Sequence, residues 1–130
     1  MVSLLIVSHS AQLAAGVKEF AGQVAGEKVQ IADAGGAADG SLGTSVDRIQ
    51  ERLQQVASPD GTLVLVDLGS AVLSVEMAIE ALGANRVQIS DAPLVEGAYL
   101  AAIEASAEGT TLEQVADAAL QARDLIKVHT

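Results

Sequence analysis

The sequence predicts an α/β fold: a doubly wound, mainly parallel four-stranded sheet in the order 2-1-3-4, with helices on both faces. Three observations predict it. Short apolar runs recur along the chain and alternate with segments of helical period, which is the pattern of β-α units. The first and third runs, "LLIV" and "LVLV", are apolar at every position, as strands covered on both faces must be. Half of the residues are apolar yet only 2% are aromatic, so the interior is built from Val, Ile, Leu and Ala, which let helices lie close on a sheet.

Each element follows in order. Val2 to Val7 reads as the first strand. From Ser10 the period turns helical, with Leu13, Val17, Phe20 and Val24 as the inner face and Gly26 as a stop. Val29 to Ala32 is a short second strand. Residues 33–43, "DAGGAADGSLG", carry glycines and aspartates without an apolar period and read as a loop. In "TSVD", Thr44 is the expected N-cap of a second helix, with Asp47 in its first turn and Val46, Ile49, Leu53 and Val56 facing inward. "SPDG" at 58–61 is a turn by composition.

Leu63 to Val66 is the third strand. After "DLGS" a helix runs from about Ala71 to Leu82, with Val72, Val75, Ile79 and Leu82 on one face. Leu73 and Met77 widen that face, a breadth that suits a subunit interface. Arg86 to Ile89 is the fourth strand. "SDAP" leads to a helix at 94–107, and "TTLE" reads as a capping box for a last helix ending near residue 126. Strands joined by single helices imply parallel pairing. The 130 residues suffice for one domain and one core, so residues 1–130 are read as a single domain.

Composition excludes several classes. Seven Lys and Arg against seventeen Asp and Glu give a formal charge of -10, which repels a phosphate backbone and an anionic membrane surface. A basic partner is attracted instead, and salt should slow that encounter. With no cysteine there are no disulfides, thiolate nucleophiles or zinc-thiolate sites. "MVSLLIVSHS" lacks a basic segment and a long apolar run, so it reads as a strand rather than a signal peptide, and a cytoplasmic location is expected.

In doubly wound sheets ligands sit beyond the carboxyl ends of the strands where winding reverses, here between strands 1 and 3. Strand 1 ends in "SHS" and strand 3 in "DLGS". Adjacent strands lie about 4.8 Å apart, so His9 and Asp67 are placed to touch. A carboxylate on one imidazole nitrogen fixes the tautomer and offers the other nitrogen as a nucleophile. Around the pair are the backbone N–H groups of two helix starts, from Ser10 and from Ser70, and the glycine loop; such groups bind phosphate without side-chain cations. Alone, His9 has an ordinary reading as a structural hydrogen-bonder and Asp67 as a loop carboxylate. Their coincidence at the switch point is what indicates chemistry.

Other polar residues carry less. Lys18, Arg48 and Arg52 read as solvated helix charges, Glu76 as a solvent-facing carboxylate and His129 as incidental. There is no GxxxxGK[ST] loop, no GxGxxG after strand 1 and no second ligand beside His9 in metal spacing. No Arg adjoins His9 to clamp a stable phosphomonoester.

"VSHS", the loop ending "GTS", and "VLVDLGSAVLSVEMA" together resemble the phosphotransferase subunit of PTS-dependent dihydroxyacetone kinase, whose N-terminal domain is similar to mannose-class enzyme IIA. The resemblance covers essentially the whole chain. It implies a phosphoryl carrier that accepts the group from HPr onto the histidine matching His9 and passes it to ADP on the nucleotide-binding kinase subunit. It further implies a homodimer, a covalent phosphohistidine at Nε2 with Asp67 on Nδ1, no resident cofactor or metal, and a site lined by Ser10, Gly36, Thr44, Gly69 and Ser70. Two alternatives share the fold: a mannose-class enzyme IIA of a sugar-transport system, and a non-catalytic regulatory module.

Overall fold

Leu4 and Ile6 of the first strand, β1 (Ser3–Ser8), face one side of the sheet, Leu5 and Val7 face the other, and both sides are covered. All four are wholly buried. The computed structural model describes residues 1–129; Thr130, the last residue of the single domain expected from the sequence, lies outside them.

The elements after β1 are α1 (Ala11–Ala25), β2 (Ile31–Gly35), α2 (Val46–Gln55), β3 (Thr62–Val66), α3 (Gly69–Leu82), β4 (Val87–Ser90), α4 (Leu94–Ala105) and α5 (Leu112–Leu120), followed by a 3-10 turn, Gln121–Asp124. All strand pairs are parallel and the order is β2-β1-β3-β4, as expected from the sequence. Helices α1, α4 and α5 cover the face bearing Leu4, Ile6, Leu63 and Leu65. Helices α2 and α3 cover the face bearing Leu5, Val7, Val64 and Val66. Among the described residues no helix is long and apolar enough to cross a membrane.

Several local expectations are corrected. The inner face of α1 is Ala14, Val17, Ala21 and Ala25, while Leu13 and Phe20 are 42% and 43% exposed. Methyl side chains let the helix approach the sheet closely, which turns the larger residues outward. Phe20 stacks on Tyr99 of α4 with ring centroids 5.1 Å apart and planes at 27°, so both aromatics of the chain pair with each other. In α3 the buried residues are Ala71, Val75 and Ala78, with Val72, Ile79 and Leu82 half-buried and Leu73 and Met77 exposed.

Boundaries differ for similar reasons. β2 runs to Gly35, three residues beyond the expected Ala32. A Cβ on Gly35 would stand 2.5 Å from the Ser10 carbonyl oxygen and 2.8 Å from the Ala14 methyl, so this glycine is a strand residue that lets the start of α1 pass. Ser45, rather than Thr44, caps α2 by accepting from the Arg48 N–H. The capping box of α5 pairs Thr111 with Gln114, one residue later than "TTLE" implied. α3 opens at Gly69, two residues early, and the last α-helix ends at Leu120.

Candidate functional site

The register of β1 and β3 sets Val7 opposite Val66, so Ser8, the last residue of β1, and Asp67, the first beyond β3, stand side by side where winding reverses. His9 follows Ser8, and its imidazole turns back onto the Asp67 carboxylate. Oδ1 of Asp67 lies 3.0 Å from His9 Nδ1 and accepts from the Leu68 N–H at 2.8 Å. Oδ2 accepts from the His9 N–H at 2.9 Å and from the Ser8 hydroxyl at 2.9 Å.

This carboxylate is 13% exposed. Burial raises its pKa, but the bonds from the His9 backbone, the His9 ring, Ser8 and Leu68 together outweigh burial and hold it below the ordinary carboxylate value. Asp67 is thus an anion that can only accept. In the neutral ring Nδ1 therefore carries the hydrogen, and Nε2 is left with its lone pair. The imidazole is 26% exposed, open enough to be reached from outside.

Nε2 faces the start of α3, with the Ser70 hydroxyl 2.8 Å away. With Nε2 as acceptor, that hydroxyl donates. Among the described residues nothing accepts from the N–H groups of Gly69 or Ser70, the first turn of a helix whose N-cap, Leu68, supplies no side-chain bond. Unpartnered N–H groups at a helix start favour an anion. Among the described residues no Lys or Arg is bonded to His9 or Asp67. Beside Asp67 and Gly69, a cleft of about 570 Å³ opens between the ends of β3 and β4.

The other expected lining residues are committed elsewhere. The Ser10 hydroxyl caps α1 by accepting from the Leu13 N–H at 3.2 Å, and the Ser10 N–H donates to the Ser8 hydroxyl at 3.0 Å. Gly36, at φ +79°, donates its N–H to the Ser8 carbonyl. Thr44 Oγ1 lies 2.7 Å from Ser74 Oγ, tying the glycine loop to α3 one turn beyond Ser70. The loop also closes on β1 through the Gly43 N–H, which donates to the His9 carbonyl at 2.9 Å. So Ser70 bonds His9 directly, and Gly69 and Ser70 retain unpartnered donors.

The arginines of α2 are not simply solvated. Arg48 donates to the Gly35 carbonyl at 2.7 Å and Arg52 Nε to the Asp33 carbonyl at 3.0 Å, so both cover the outer strand β2. Lys18 sits 3.6 Å from Asp33. Glu76 and His129 are exposed. Sequence reasoning missed Ser8, which is wholly buried and bonded to Asp67. The available signal was a hydroxyl directly after the apolar run Leu4–Val7 at the last covered position of the strand.

Comparison with known proteins accords with this geometry. The family model EIIA-man, described as the PTS system fructose IIA component, matches residues 3–116. The phosphoryl donor subunit DhaM of PEP-dependent dihydroxyacetone kinase 2 from Listeria innocua is 37% identical over 80% of this chain and 86% of its own length. The corresponding subunits from Pantoea ananatis and Escherichia coli are 41% and 42% identical over 94% and 88% of this chain, which spans only 27% and 25% of those longer proteins. A crystal structure of a protein of unknown function, EF1359, superposes with a TM-score of 0.78 at 36% identity over 92% of each chain. The phosphotransferase system component EIIA from Streptococcus agalactiae shares the fold, with a TM-score of 0.70 at 15% identity over 98% and 97% of the two chains. The chain belongs to the EIIA-man family of phosphotransferase-system components and, within it, to the dihydroxyacetone kinase phosphoryl donor subunits.

Proposed function

We propose that the chain is a phosphoryl carrier that takes the group from phospho-HPr onto His9 Nε2 and hands it to ADP held on the nucleotide-binding subunit of a dihydroxyacetone kinase. The observation that carries this reading is the fixed imidazole: Nδ1 on the Asp67 carboxylate, Nε2 at the open start of a helix. The relatives' description as phosphoryl donor subunits supports the direction of transfer.

In the first step the Nε2 lone pair attacks phosphorus while the bond to the donor nitrogen breaks and the donor keeps that electron pair. The ring gains positive charge, which Asp67 offsets through Nδ1–H. Ser70 turns its hydroxyl from Nε2 to a phosphoryl oxygen, joined by the Gly69 and Ser70 N–H groups. In the second step an oxygen of the ADP β-phosphate attacks, the P–N bond breaks, its electrons return to Nε2 and ATP forms. Ligands without a cationic clamp suit a carrier, because tight ground-state binding would slow the handover.

The reading requires no resident cofactor or metal and places the carrier in the cytoplasm. It includes a homodimer, supported by Leu73 and Met77, exposed on α3 at 66% and 52%; sedimentation gives the mass. Incubation with enzyme I, HPr and labelled phosphoenolpyruvate should produce an acid-labile, base-stable label that His9→Ala lacks, and addition of the kinase subunit with ADP should discharge it. A label that persists in His9→Ala defeats the assignment. Co-purification with transport subunits in place of the kinase subunit favours the sugar-transport alternative. Label that is never passed to ADP favours the regulatory one.

A further inference from the structure

We propose that Ser8 is a positioning residue for His9, acting through Asp67. Ser8 is wholly buried at the last position of β1, and its single hydroxyl proton goes to Asp67 Oδ2 at 2.9 Å. The direction of that bond is fixed by the carboxylate, which can only accept, and the Ser8 Oγ accepts in turn from the Ser10 N–H at 3.0 Å. A hydroxyl polarised by a donor on one side is a better donor on the other. The result is a one-way chain: Ser10 N–H to Ser8 Oγ, Ser8 Oγ–H to Asp67, Asp67 to the His9 ring.

The carboxylate needs this support. Its other three donors, the His9 ring, the His9 N–H and the Leu68 N–H, belong to residues that lie past the ends of the two strands and are open to solvent. Ser8 is the donor that belongs to the covered end of the sheet. It anchors Oδ2 so that Oδ1 stays toward Nδ1, and with it the tautomer that leaves Nε2 free. A hydroxyl at this position also keeps the start of α1 tied to the carboxylate, since Ser10 is the α1 N-cap. The inference rests on the carrier reading for its purpose, but the hydrogen-bond chain stands without it.

Ser8→Ala removes the hydroxyl without adding bulk. Ring 15N shifts of His9 report the tautomer directly in the unphosphorylated protein, and label uptake from phospho-HPr reports its use. The expected result is a mixture of tautomers and an uptake rate lower by roughly tenfold, the scale of one hydrogen bond to a charged group, with both restored in Ser8→Thr. Ser8→Ala that retains a single Nδ1–H tautomer and the parental uptake rate overturns the proposal, even where thermal stability falls. So does a folded Ser8→Thr that restores neither readout. Where Ser8→Thr does not fold, the tautomer of Ser8→Ala decides alone. Absence of label on the parental protein counts against the carrier function, while the 15N measurement still judges Ser8.

Discussion

His9 and Asp67 are joined twice: the ring Nδ1 meets one carboxylate oxygen at 3.0 Å and the backbone N–H meets the other at 2.9 Å. One carboxylate thus fixes both where the residue leaves the strand and how its ring is turned. The orientation of the imidazole is a property of the sheet's carboxyl edge more than of the side chain's own rotamer preferences.

Asp67→Asn keeps the shape but replaces one accepting oxygen with an NH2 donor. Facing Nδ1, that donor favours the tautomer with hydrogen on Nε2, where the lone pair is needed. Phosphoryl uptake in single-turnover measurements should fall by roughly a hundredfold to ten-thousandfold, the range lost when a catalytic imidazole has its tautomer or proton misplaced. The thermal transition should move far less than the rate.

Acid should separate the parental protein from that variant. Because the Asp67 pKa is lowered in the fold, its ionised form contributes stability that is fully present above the ordinary value of 3.8 and is lost as pH falls through the still lower folded value. Other lowered carboxyls, such as Asp39 and Glu96, are common to both proteins and cancel in the comparison. The difference in unfolding free energy should be flat well above pH 3.8 and shrink below it. Urea titrations across that range measure it.

Ser70→Ala tests the far side of the ring. Its hydroxyl lies 2.8 Å from Nε2, and in the proposed carrier it turns to a phosphoryl oxygen after transfer, the charged partner of the two. Removing it should move the phosphoryl equilibrium between HPr and this chain toward HPr by about two- to tenfold. Quantifying labelled carrier at equilibrium checks this, with no change in the His9 tautomer expected.

Gly35→Ala probes the backbone beneath the site. The added methyl meets the Ser10 carbonyl oxygen at 2.5 Å and the Ala11 Cα at 2.7 Å, both rigid parts of the α1 start. The protein should lose about 2 kcal/mol by overpacking. Displacement of Ser10 should also disturb the His9 ring signals, which a uniform loss of stability elsewhere in the sheet would not do. The same substitution at Gly22 of α1, where an added Cβ meets nothing within 4 Å and the backbone is helical, serves as the control for position.

The parallel sheet, its order and the meeting of His9 with Asp67 were legible because they follow from the two least ambiguous strands, each built on a run of four apolar residues that ends abruptly in polar ones. Helix faces were less legible. Periodicity weights large side chains, whereas α1 buries Ala14 and Ala21 and exposes Leu13 and Phe20, since close packing selects for size over hydrophobicity. Caps slipped by one residue where hydroxyls stand in pairs, as at Thr44–Ser45 and Thr110–Thr111, because composition cannot say which of two neighbours has the extended backbone. Gly35 read as loop because a glycine needed for close approach looks the same in sequence as one needed for a turn. Ser10, Gly36 and Thr44 illustrate a further limit: which of several nearby donors remains unpartnered is decided by three-dimensional bonding alone.

The pairing of Phe20 with Tyr99 on the outer side of α1 and α4 determines which instruments can follow this molecule. The chain has no tryptophan, and among the described residues no aromatic ring besides the imidazole itself is bonded to His9 or Asp67. Near-ultraviolet dichroism and intrinsic fluorescence therefore report on one helix pair and stay dark to events at the sheet's edge. That darkness is useful: a single tryptophan introduced at exposed Leu68 would be the sole long-wavelength emitter, an unobstructed optical clock for the transfer proposed at His9.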